Sequence, residues 1–318
     1  MSKEDLLEWR GFVINDRPAC MWGFDLPDQN HEFLSSIDPA YFNQAVAAQL
    51  PLLETENRQN AALAIRTTYA HALETLFALL CAAVQAPHCP LGWILKYRPG
   101  DVPKVVRKIQ EGAELLTRLR FNDGWQGISE RIHLFVLEDP EEERRIKRLF
   151  GDLWLRLAWD FLDDWGSIEY NSIKHGLRSK ASGFALRIAR TDEPAAPVVD
   201  STSEYGSRFF AMKPIREDSV NFSVQRVSRA WAPRALAIRT ELIGASLTNV
   251  TSFLKVHSGA AMDSVNFEWP DPDNDITGAW VSPGSISSFA AGETIDLANT
   301  NLKRKQDILA FYDGGPDL

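Results

Sequence analysis

The 318-residue chain predicts a mainly α-helical fold, a helical bundle with a small antiparallel β-meander inserted before the last long helix. Three observations carry this expectation. Apolar residues recur at steps of three and four over 54–85, 139–177 and 233–257. Between 183 and 229 the period becomes strand-like. Asp139-Pro140-Glu141-Glu142-Glu143 is a strong helix start, with a cap, a proline at the first position and three carboxylates suited to the positive end of the helix dipole.

Residues 1–40 hold Trp9, Pro18, Trp22, Gly23, Pro27 and Pro39 without a sustained period, which predicts an irregular N-terminal arm. The bundle is expected over 41–180. Asp38-Pro39 caps a helix reaching about Leu50, where Pro51 interrupts. A long helix follows over 54–85, with Ile65, Tyr69, Ala72, Leu76 and Leu79 as its core stripe, and Ala86-Pro87-His88-Cys89-Pro90 ends it. Shorter segments at 91–97, 101–110 and 125–137 precede the helix that begins at Asp139 and runs to about Leu177, with a kink at Gly166 and Gly176 as its C-terminal cap. The β insertion occupies 181–230, with strands at 183–190, 207–213 and 220–229. A helix over 231–258 completes the bundle, and 259–318 is a loop-rich acidic tail with a short helix near 302–311.

At 45% hydrophobic and 10% aromatic residues the composition excludes wholesale disorder. No run reaches the roughly 20 apolar residues of a membrane span, and Met-Ser-Lys-Glu-Asp at the start lacks a secretory pattern. A cytoplasmic location without membrane contact is therefore expected. Cys20, Cys81 and Cys89 are odd in number and widely spaced, which argues against disulfides and structural zinc. The net charge of −9 is uneven: 1–60 and 250–318 each carry 4 basic and 10 acidic side chains, whereas 171–240 carries 12 basic and 6 acidic, a balance of +6. An anionic partner would meet that positive stretch.

The candidate site closes the late helix. Asn171, His175 and Arg178 succeed one another at steps of four and three, on a stripe that continues back through Ile168, Asp164, Phe161, Leu157 and Trp154. Lys174 pairs with Tyr170 four residues earlier. The negative end of the helix dipole favours a protonated His175. Lys174 and Arg178 would hold an anion or an RNA phosphate, with His175 moving a proton; a structural polar cap is the alternative. In the early helix Thr67, His71 and Glu74 share a face, and Glu74 is the one charge in the apolar run 72–86. A cationic partner among Lys174, His175 and Arg178 is expected for it. His71, Glu74, Asp164 and His175 lack the second Glu-x-x-His copy of a di-iron bundle, and no HExxH, GxSxG or phosphate loop is present. No metal and no cofactor are expected.

The spacing Asn171-x-x-Lys174-His175-Gly176 at a helix end, partnered by the helix with Tyr69-Ala-His71-Ala-Leu-Glu74, resembles the all-helical HEPN domains (higher eukaryotes and prokaryotes nucleotide-binding). That resemblance implies a ribonuclease or a noncatalytic RNA-binding domain of bacterial toxin or phage-defence systems. The family signature, an arginine and then a histidine after four to six residues, occurs here as Arg66-x4-His71; the late segment keeps Asn171 and His175 with no arginine at 168–170. The resemblance implies metal-independent RNA cleavage, or RNA or nucleotide binding, in a cleft between the two helices. His175, Asn171, Lys174 and Arg178 would be its catalytic residues and Tyr170, Glu74, His71 and Arg66 would bind. A homodimer, or a noncatalytic module for another ligand or protein, is the competing expectation.

Overall fold

The computed structural model describes residues 7–117, 119, 124–135, 137–175, 178–190, 193–215, 220–270, 279–280, 288–292 and 302–312. It shows a mainly helical chain with several small antiparallel sheets. Two compact units divide it, the first from 1–167 and 233–281, the second from 168–232 and 282–318.

The first unit opens with a hairpin, β1 (Glu8–Ile14) and β2 (Arg17–Gly23), in full antiparallel register. An irregular arm was expected here, and the difference lies in the turn. Asn15 adopts a left-handed conformation at φ 54, which asparagine tolerates through its short polar side chain, and the chain reverses in two residues. Side chains from the helices fix that turn. Gln85, buried at the end of the long helix, accepts from the Asn15 N–H at 2.8 Å and donates to its carbonyl at 2.9 Å. Asp16 pairs with Lys108 at 2.7 Å and Arg17 with Asp101 at 2.5 Å.

Helix α1 (Leu26–Ser36) and the short α2 (Tyr41–Ala47) lead to α3 (Arg58–Gln85). By length and composition α3 could cross a membrane, yet 67% of its most apolar window is buried inside the protein. Its Ile65, Leu76, Phe77, Leu80 and Val84 are fully covered. Then come α4 (Pro90–Lys96), the amphipathic α5 (Asp101–Gln110), α6 (Gly124–Ile132) and α7 (Pro140–Leu162). The start of α7 is as the residues dictate: the Asp139 carboxylate accepts the Glu141 N–H at 2.9 Å. Ile146, Phe150, Leu153, Trp154 and Leu157 then form its buried stripe, while Trp159 is exposed.

The expected continuous helix over 139–177 breaks at Asp163, whose ψ of 110° is extended. Helix α8 (Asp164–Lys174) starts afresh, so its buried residues fall out of phase with those of α7. Gly166, Glu169, Tyr170 and Ser172 are covered, and Asn171, Lys174 and His175 are exposed. Gly176, expected as the cap, lies outside the described residues. The second unit continues with β3 (Ser179–Ala181), a hairpin of β4 (Phe184–Arg190) and β5 (Glu193–Ser203), then β6 (Gly206–Pro214) and β7 (Phe222–Ala230).

The chain returns to the first unit as α9 (Pro233–His257). It packs along α3 and α2, and Gly244 allows the approach, since a Cβ there would stand 2.5 Å from Asn43. Its Asn249 completes a buried polar set. His133 Nδ1 lies 2.8 Å from the Ser129 carbonyl oxygen, and its Nε2 lies 3.1 Å from Asn249 Nδ2. The Asn249 amide also exchanges two 2.7 Å hydrogen bonds with the Glu268 backbone. Beyond α9 the described residues include β8 (Ser288–Gly292) and α10 (Lys305–Tyr312), both in the second unit.

Candidate nucleic-acid interface

Strands β3, β6, β7 and β8 form one antiparallel sheet in that order, and strand alternation assigns its two faces. Ser207, Phe209, Ala211 and Val227 are buried on the inner face. A buried carboxylate is anchored on this side. Glu169 of α8 is wholly covered; it accepts from the Ser207 hydroxyl and, at 2.9 Å, from the Trp231 indole N–H. Arg229 places Nη1 3.8 Å from its other oxygen. A buried charge persists only when paired and hydrogen-bonded, so this set fixes α8 to β6, β7 and the segment after them.

On the outer face the cross-strand register sets Lys180 opposite Arg208, Phe210 opposite Arg226, Met212 opposite Val224 and Pro214 opposite Phe222. Strand β8 brings Phe289 beside Ser228. The Phe210 N–H donates to the Arg178 carbonyl at 3.4 Å, which carries the β3 register one step back and puts Arg178 in the row of Phe210 and Arg226. Large apolar groups and cations therefore alternate on one surface. Phe210 is 55% exposed, Phe222 53%, Phe289 44%, Met212 60% and Val224 53%, values a core-facing surface would not show. The Arg226 guanidinium lies over the Phe210 ring at 5.7 Å, a contact that orients the cation while leaving its edge free for hydrogen bonds.

The proposed seam residues take other positions than the stripe required. Asn171, Lys174, His175 and Arg178 are exposed, because the break at Asp163 turns their face outward. Lys174 sits over the Tyr170 ring at 5.5 Å, and Tyr170 itself is buried. Among the described residues no side-chain hydrogen bond holds Asn171 or His175, so nothing orients the imidazole as a second polar group would in an assembled acid–base pair. In the first unit, Arg66, His71 and Glu74 have three different surroundings. Arg66 lies over the Tyr69 ring at 5.8 Å, and His71 meets Phe42 edge-on at 5.1 Å. Glu74 is exposed, where its charge, after burial, helps raise the Tyr97 hydroxyl above its usual range. Glu74 makes no ion pair among the described residues, which removes the burial argument for a cationic partner: α3 turns that position to solvent, and water solvates the charge.

Periodicity along the chain did not single out Arg208, Phe210, Phe222, Arg226 or Phe289. A signal existed, since Ser207-Arg-Phe-Phe-Ala-Met-Lys213 puts large apolar residues on both parities of a strand, more than one buried face needs. Among the described residues no three His, Cys, Asp or Glu side chains gather as metal ligands. No family model, no curated protein and no solved structure matches this chain.

Proposed function

We propose that the protein binds single-stranded RNA on the outer face of the β3-β6-β7-β8 sheet. One observation carries this reading: exposed Phe210, Phe222 and Phe289 share a sheet face with Arg178, Lys180, Arg208 and Arg226. Strand spacing and rise put the Phe210 ring roughly 12–14 Å from those of Phe289 and Phe222, and these two roughly 21 Å from each other, far enough to receive separate bases. Stacking on such rings is worth about 1–3 kcal/mol per base and tolerates any sequence. The four cations would neutralise phosphates. In the same reading the helices of the first unit are a bundle, the β3-β6-β7-β8 sheet is the working part, and the protein acts in the cytoplasm.

Fluorescence polarisation of a labelled single-stranded oligonucleotide at two salt concentrations tests the reading. Phe210→Ala and Phe222→Ala should each weaken binding by about 5- to 150-fold, and Arg226→Ala should reduce the salt slope by about one. Wild-type affinity in all three variants overturns it. Loss of self-association in Phe210→Ala, without an effect on RNA, assigns the face to a dimer instead. RNA degraded in EDTA by wild type and spared by His175→Ala would add cleavage to binding, as the HEPN-like spacing suggests.

A further inference from the structure

A second basic site stands in the first unit, independent of the sheet and of the RNA-binding proposal. Helix α3 contributes Arg66 and Tyr69, α7 contributes Arg156 and Asp160, α9 contributes Arg239, and Ala279-Trp280 closes the group. The buried Tyr69 hydroxyl donates to Asp160 Oδ2 at 2.5 Å, and Arg239 Nη1 donates to the same oxygen at 2.9 Å. Arg239 Nε donates to the Ala279 carbonyl at 3.0 Å. Its guanidinium thereby lies over the Trp280 ring, 4.6 Å from the centroid. Arg156 approaches the same ring at 5.8 Å.

Two features of this arrangement are incomplete without a ligand. Asp160 answers the charge of Arg239, yet among the described residues no carboxylate answers that of Arg156, although both guanidinium groups gather on one indole. The Trp280 Nε1 atom is buried with no hydrogen-bond partner, whereas a buried donor ordinarily has one. A guanidinium without a carboxylate partner and an unused buried donor are both relieved by an oxyanion. Donors arriving from two guanidinium planes and an indole edge suit the spread oxygens of a tetrahedral anion better than the two coplanar oxygens of a carboxylate.

We infer that Arg156, Arg239 and Trp280 form a binding site for a phosphate group, with Asp160 and Tyr69 holding Arg239 in place. The phosphate would come free or as the ester of a small nucleotide. Isothermal titration of the full chain at low ionic strength, with inorganic phosphate, adenosine 5′-monophosphate and acetate in separate runs, distinguishes these sources. Saturable binding of phosphate is expected, at least tenfold weaker in Arg156→Gln and several-fold weaker in Trp280→Phe, which keeps the ring and removes the donor. Phe210→Ala should leave it unchanged. Tighter binding of the monophosphate than of free phosphate identifies the ester as the ligand, and equal binding identifies the free ion. The inference is overturned if no saturation occurs up to roughly 10 mM phosphate, a limit near −3 kcal/mol of binding, if acetate binds as well as phosphate, or if the folded variants bind like wild type.

Discussion

Acidification from pH 7 to pH 4 should remove about 3 kcal/mol of the first unit's stability through His133 alone. Burial among Phe150, Trp154 and Phe135 is the main reason its imidazole is pushed down to about 4, a lowering that the Lys147 charge reinforces and the Ser129 carbonyl opposes. The hydrogen bonds require the neutral ring, with the Nδ1–H donating to Ser129 and Nε2 accepting from Asn249. A proton on Nε2 would set two donors against each other. In the unfolded chain the ring titrates near 6.5, so below that pH the unfolded state binds a proton that the folded state refuses. Stability is therefore complete above about pH 6.5, falls as the pH drops towards 4, and changes no further below that. The interval of about 2.5 pH units at 1.36 kcal/mol each gives the magnitude. Urea unfolding monitored by tryptophan fluorescence at pH 7 and pH 4.5 measures it, with His133→Gln as reference because carboxylates elsewhere titrate equally in both proteins. Wild type should lose about 2.5 kcal/mol more than the variant over that interval. Parallel losses would refute the argument.

Two further outcomes concern the second unit. Glu169→Ala strands Arg229 beside an empty carboxylate position and should destabilise the unit by about 3–5 kcal/mol, with Glu169→Gln milder; hydrogen exchange should accelerate in β6 and β7 and stay slow in α3. Gly206→Ala would put a Cβ 2.2 Å from the Arg229 carbonyl and 3.1 Å from that of Ser182. Backbone on both sides cannot swing away, so a loss of about 1–3 kcal/mol is expected, read by the same exchange experiment.

Much of the helical part was legible because its signals are local. Asp139 with Pro140, the run ending at Gln85, and Pro233 each fix a boundary through chemistry within a few residues. The hairpin over 8–23 was hidden because its turn is secured by Gln85, Lys108 and Asp101, about 70 to 90 positions away. The misplaced site has a similar cause. A stripe counted through Asp163 assumes an unbroken helix, and one extended residue rotates everything after it, so Glu169 is buried while Asn171 and His175 are exposed. The acidic residue was passed over because a carboxylate at 0% exposure is intelligible only once Ser207, Arg229 and Trp231 are brought to it. Residues 271–278 and 293–301, foreseen as loop, lie outside the described residues.

The pairing of α3 with α9 has a consequence for synthesis. About 170 residues separate the end of α3 at Gln85 from the end of α9 at His257, and at about 5–20 residues per second the ribosome needs roughly 10–30 s to deliver the second after the first. Throughout that interval the most apolar helix of the protein lacks the partner that covers it, while the whole second-unit segment 168–232 is made in between. Nascent chains stalled between 90 and 230 should therefore be the species that chaperones capture and that aggregates. Starting the chain just before α9 by circular permutation would deliver that helix ahead of α3 and should remove the exposure.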